Sequence, residues 1–95
     1  MPANFESIQN YLERGVFDAI AAMTPHFQHL ADKDLMADVA CVALNRLPPR
    51  YIRHEIDLVF YMTEKERTET ALAIEEAVSF ALEFVQARHA MRARR

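Results

Sequence analysis

Glycine is nearly missing from this chain of 95 residues: Gly15 is the only one. A glycine-rich loop that wraps backbone N–H groups around a phosphate cannot be built from it. Cysteine is just as scarce. Cys41 stands alone, so no intrachain disulfide can form, and its place in the apolar run ADVACVAL predicts a buried free thiol of a reducing cytosol. No stretch approaches the roughly 18 uninterrupted apolar residues of a membrane span, and no basic-then-apolar signal pattern opens the chain. The expected setting is cytoplasmic, with no membrane partner. A basic excess is missing too: 11 Lys plus Arg stand against 14 Asp plus Glu, the wrong balance for gripping long nucleic acid through its phosphates. The basic end, RHAMRARR, could touch acidic lipid or nucleic acid, but it reads more simply as a fraying helix terminus favoured by the helix dipole.

What remains suits one small globular domain covering residues 1–95. The chain is 52% apolar and 26% charged, enough to bury one core and stay in solution, and too short for two. Phe5, Ile8, Leu12, Val16, Ile20 and Met23 recur at spacings of three and four, which predicts an amphipathic helix over 4–24. Gly15 falls inside it at a cost of about 1 kcal/mol, which points to close packing against a neighbour rather than a turn. Thr24-Pro25 ends the pattern. After a polar connector, Asp32 or Asp34 suits the N-cap of a second helix over about 35–46. Apolar residues surround most of that helix, so it is expected to be central and largely buried.

Pro48-Pro49 must stop the second helix. Tyr51 to Tyr61 (YIRHEIDLVFY) first alternates and then turns continuously apolar; an extended segment and a helical turn both fit, and the alternation favours the extended one. Thr63-Glu64-Lys65-Glu66 is a capping box opening a long last helix. Ala71, Ile74, Val78, Ala81, Leu82 and Val85 fill one arc of it, and Ala73, Ala77, Phe80 and Phe84 an adjoining one, so the helix needs cover on two sides. A domain this small can seldom supply that alone. The expectation is all-α: a small helical domain with a Pro-Pro corner between the second helix and a short extended segment, a long C-terminal helix, and a homodimer, intertwined or side by side.

Catalysis is not expected. Ser7 and Ser79 lie within helix patterns, Cys41 reads as buried, and the carboxylates of Glu64, Glu66, Glu75 and Glu76 read as capping or solvated-face groups. The chemistry gathers instead at the diproline corner. Arg46 and Arg50 bracket Pro48 and Pro49, and their guanidinium forks suit phosphate oxygens or the O6/N7 edge of a guanine. Tyr51 offers a face for stacking a base, and Asn45 can read a base edge or cap the helix end. The plainer reading is the one that spacing alone favours: the prolines turn the chain, the arginines pair with surface carboxylates, and Tyr51 fills the core.

The contiguous LNRLPPRY (Leu44 to Tyr51), within DVACVALNRLPPRYI, resembles the signature of the ComFB family of late competence development proteins, small bacterial domains. The helix ahead of the motif and the capped helix behind it extend the resemblance over most of the chain. It implies an all-helical, homodimeric, non-catalytic receptor for cyclic dinucleotides, cyclic di-GMP foremost, which signals to a downstream protein partner. Carried over to this sequence, Asn45, Arg46, Arg50 and Tyr51 would contact the ligand and Pro48 and Pro49 would shape its pocket; Arg53 and His54, which follow closely, are added to the set. No cofactor is implied. Some family members carry paired cysteines before the second helix that look like a zinc site; Asp32 and Leu35 stand near that place here, so no metal is carried over. His26 and His29, spaced i, i+3, lack nameable further ligands and read as solvated loop residues. The alternative function is a ligand-independent homodimeric protein-interaction module.

Overall fold

In the computed structural model, residues 5–26 and 32–93 are described. Short helices α1 (Leu12–Met23) and α2 (Lys33–Asn45) lie against one side of a long helix, α4 (Glu64–Ala93). Between α2 and α4 run a two-residue strand, β2 (Tyr51–Ile52), and a single helical turn, α3 (Asp57–Tyr61); β2 pairs antiparallel with β1 (Gln9–Asn10), with Gln9 opposite Ile52 and Asn10 opposite Tyr51. Apart from this small ladder and two short 3₁₀ turns the described chain is all-α.

The apolar spacing that predicts α1 locates its buried stripe: Leu12, Val16 and Ile20 are 5% exposed or less. Its start is different. Residues 4–24 do not form one helix, because Phe5–Ser7 makes a 3₁₀ turn and Gln9–Asn10 is drawn into the ladder with β2. Phe5 and Ile8 accordingly point outward, 73% and 45% exposed. Periodicity alone cannot see this break, since an apolar residue ahead of a helix falls on the same spacing whether or not the backbone has begun to wind. At the other end α1 stops at Met23, and Thr24 donates its hydroxyl to the carbonyl of Ile20.

Asp32 caps α2, its carboxylate accepting from the Asp34 N–H at 2.7 Å. Only Val39 and Ala43 of α2 are buried, so the helix packs through one face rather than being surrounded. Cys41 lies on the outer side and is exposed, contrary to the buried thiol that its apolar neighbours suggest. The capping box at α4 is half realised: Thr63 Oγ1 accepts from the Glu66 N–H at 3.1 Å, and among the described residues the Glu66 carboxylate does not return the bond.

Val16, Ile20, Val39, Ala43, Val78, Leu82 and Val85 meet at the centre of the three-helix packing. Burying each large aliphatic side chain there is worth about 1.5–3 kcal/mol. Gly15 packs directly against α4: a Cβ there would stand 2.8 Å from Ile74 Cδ1, the close packing its mid-helix position predicts. A smaller cluster of Ile52, Leu58 and Met62, with Tyr11 against it, sits under the ladder. The chain buries Val78, Ala81, Leu82 and Val85 of the first apolar arc of α4 and Ala77 of the second, whereas Phe80 and Phe84 remain 40% and 44% exposed. None of the described helices is long and apolar enough to cross a membrane.

Candidate functional site

The corner owes its shape to the end of α2. Asn45 is its last residue, and Arg46 turns the chain with φ −90° and ψ −8°, its N–H donating to the carbonyls of Ala43 and Leu44. Two prolines then hold the backbone extended and donate no N–H of their own. What fixes the far side is Asn10. Its side-chain oxygen accepts from the Arg50 N–H at 3.1 Å and from the Leu12 N–H at 3.2 Å, and the Tyr11 N–H donates to the Arg50 carbonyl at 2.7 Å. One amide side chain thus ties the corner to the first turn of α1, joining residues 40 apart in sequence.

The site residues divide into four groups. Pro48, Pro49 and Arg50 line a cavity of about 190 Å³, together with Leu47, Met62 and Thr70 among others. Arg50 spans its rim, Nη2 donating to the Tyr61 carbonyl at 3.1 Å. Arg46 goes the other way, toward α4, where its guanidinium carbon lies 3.7 Å from the centroid of the Phe80 ring. Tyr51 and Arg53 follow the alternation of β2: Ile52 is buried between them, Tyr51 is 66% exposed, and Arg53 Nε donates to Ser7 Oγ at 3.1 Å. Asn45 and His54 are exposed, and the His54 carbonyl accepts from the Asp57 N–H at the start of α3.

The structure thus brings Arg50 and the prolines to one cavity, leaves Tyr51 free to stack, and separates Arg46 and Arg53 from them. Among the described residues no corner arginine pairs with a carboxylate; the ion pairs join Arg14 to Asp18, Lys65 to Glu69 and Arg88 to Asp38. Tyr51 does not fill the core either, so of the plainer reading only the turn made by the prolines describes this corner. A larger cleft of about 340 Å³ lies on the other side of the ladder, between α1, Ile52, Glu55 and Ile74. It contains none of the corner arginines, though Asn10 and Tyr11 border it.

Sequence reasoning missed Asn10, Tyr61, Thr70 and Phe80. Asn10 carried a signal, an Asx side chain just ahead of the first buried residue of a helix, which the longer apolar spacing concealed. Tyr61 contributes a backbone carbonyl, and no side-chain pattern foretells that. The His26 side chain and His29 lie outside the described residues.

Residues 9–89, from β1 through most of α4, match the late competence development protein ComFB. The chain belongs to the ComFB family. The match takes in Asn10, the whole diproline corner and the capped last helix, the parts that together form this site. No curated protein and no solved structure matches the chain.

Proposed function

We propose that this ComFB protein is a non-catalytic receptor for a cyclic dinucleotide, cyclic di-GMP before cyclic di-AMP. The observation that carries the reading is the corner's uncompensated charge beside an open aromatic face: Arg50 on the rim of a rigid diproline cavity, with Tyr51 turned outward one residue later. Such a ligand offers phosphates for guanidinium forks and purine rings for stacking, and arginine's fit to the guanine O6/N7 edge sets the preferred base. Asn45, Arg46, Arg53 and His54 lie outside this centre, Arg46 over Phe80 and Arg53 bonded to Ser7, and would join it only by side-chain rotation. A preformed corner loses little entropy on binding. The output is a changed surface for a partner protein, driven by the ligand's difference in affinity between two states.

Calorimetric titration with cyclic di-GMP tests this. The parent should bind at tens of micromolar or better, and Arg50→Ala should weaken binding about tenfold or more, as expected for a lost hydrogen bond to a charged group of about 1.5–3 kcal/mol. No heat from the parent rejects the reading. The alternative, a ligand-independent interaction module, draws on the intramolecular partners that Arg46 and Arg50 already have in Phe80 and the Tyr61 carbonyl. Partner capture indifferent to added nucleotide would favour it.

A further inference from the structure

The larger cleft shares Tyr11 as a wall with the diproline cavity and differs from it in charge. Among the described residues the cavity is lined by one charged group, Arg50, whereas the cleft is lined by Glu13, Asp18 and Glu55 against Arg14. Arg14 is already engaged: its Nε lies 4.0 Å from Asp18 Oδ2, one turn along α1. That leaves Glu13 and Glu55, neither of which is in an ion pair among the described residues.

Beneath these carboxylates the lining is apolar. With no side chain at Gly15, the tip of Ile74 from α4 reaches the backbone of α1, where a Cβ would stand 2.8 Å from Ile74 Cδ1. Ile52, buried in β2, borders the same space. Phe17 also lines it and is 49% exposed, which leaves an aromatic face open to whatever enters. The cleft thus offers an apolar floor under a negatively charged mouth.

We infer that this cleft is a binding site for a small organic cation, an alkylguanidinium whose head faces the carboxylates of Glu13 and Glu55 and whose chain lies on Gly15, Ile52 and Ile74. Size, sign and shape select that class. The volume, about 340 Å³, falls within the roughly 300–1,000 Å³ of small-molecule sites. The sign of the free charge calls for a cation, and among the described residues no group of three His, Cys, Asp or Glu side chains could hold a metal ion, so the charge is carried by an organic group. A guanidinium suits the place better than an ammonium. Its flat fork matches a carboxylate, it gives up water more easily, and it stacks on an aromatic face such as that of Phe17. Glu13 and Glu55 are both exposed, so each contributes only as a surface ion pair does, and burial of the ligand's chain on the floor supplies the rest. The site needs neither Arg50 nor a nucleotide, and it stands whether or not the corner is a receptor.

Gly15 makes the test direct, because the only glycine of the chain lies in the cleft and gives the protein's one glycine amide resonance. Butylguanidinium is titrated into isotopically labelled protein and followed by amide chemical shifts. The signals of Gly15, Phe17, Ile52 and Ile74 should move together and saturate with a Kd on the order of 1–10 mM, as befits a ligand of about eight non-hydrogen atoms. Butylurea, which keeps the shape and removes the charge, should bind at least about fivefold more weakly, the combined effect of two exposed ion pairs. Glu13→Gln combined with Glu55→Gln should weaken butylguanidinium by a similar factor, with the spectrum away from the cleft unchanged because both side chains are exposed. No saturable shift at Gly15, shifts spread over carboxylates elsewhere, equal binding of butylurea, or a double variant that binds as the parent does overturns the inference. Acetyl-Gly-Arg-Gly-amide carries the same head on a peptide and should bind no more tightly than butylguanidinium. Tighter binding of the peptide overturns the small-molecule assignment in favour of an arginine from a partner protein.

Discussion

Replacing Asn10 by alanine is the sharpest probe of how the corner is held. The substitution deletes one acceptor that serves two backbone donors, Leu12 N–H at 3.2 Å and Arg50 N–H at 3.1 Å. The first loss resembles removal of a helix cap, about 1 kcal/mol within a range of roughly 0.5–2. The second removes a hydrogen bond at an exposed backbone group that water can replace, so it stands at the low end of the usual 0.5–1.5 kcal/mol, near about 0.5. Together they predict about 1.5 kcal/mol, or a fall in Tm of about 6–12 °C for a domain this small. Asn10→Asp keeps the acceptor and adds negative charge at a helix N-terminus, where the dipole favours it, so its stability should stay within about 0.5 kcal/mol of the parent. Thermal unfolding followed by circular dichroism, at one fixed protomer concentration so that association does not shift the midpoint, reads both variants. An alanine variant within experimental error of the parent, or an aspartate variant that falls as far as alanine, would refute the assignment of Asn10 as the tie between α1 and the corner.

Two further outcomes follow from the packing. Gly15→Ala removes a glycine penalty of about 1 kcal/mol from a helix interior, and the added methyl meets only the tip of Ile74, which borders the 340 Å³ cleft and has room to swing into it. Thermal unfolding should show an equal or higher Tm for Gly15→Ala and a lower one for the bulkier Gly15→Val; a clear loss of stability in the alanine variant would mean that Ile74 cannot give way. Cys41, exposed on the outer side of α2, should be titrated by a thiol reagent in the native protein at one equivalent per chain. A thiol that reacts only after denaturation would show that face covered in solution.

Much of the helical layout is written in the sequence itself, because helix faces and caps are local. Spacings of three and four place Leu12, Val16 and Ile20 on one stripe whatever surrounds them, Asp32 caps α2 through its own neighbour Asp34, and Thr63 opens α4 three residues before Glu66. The diproline stop needs only the chemistry of two proline rings. The eight residues Leu44 to Tyr51 likewise announce the ComFB family without reference to a fold.

Tertiary structure decided whatever depends on residues far apart in the chain. Whether Phe5 and Ile8 joined α1 turned on strand pairing with Tyr51 and Ile52, and whether Cys41 was buried turned on which face of α2 met α4. The divergence of Arg46 from Arg50 has the same origin. Four residues apart on either side of a rigid bend, they part because Phe80 lies below one and the Tyr61 carbonyl beside the other. A sequence fixes the bonds a residue can make with its near neighbours. Its distant partners are set by how the helices close around a shared core, and at this corner those partners determine which charges remain free.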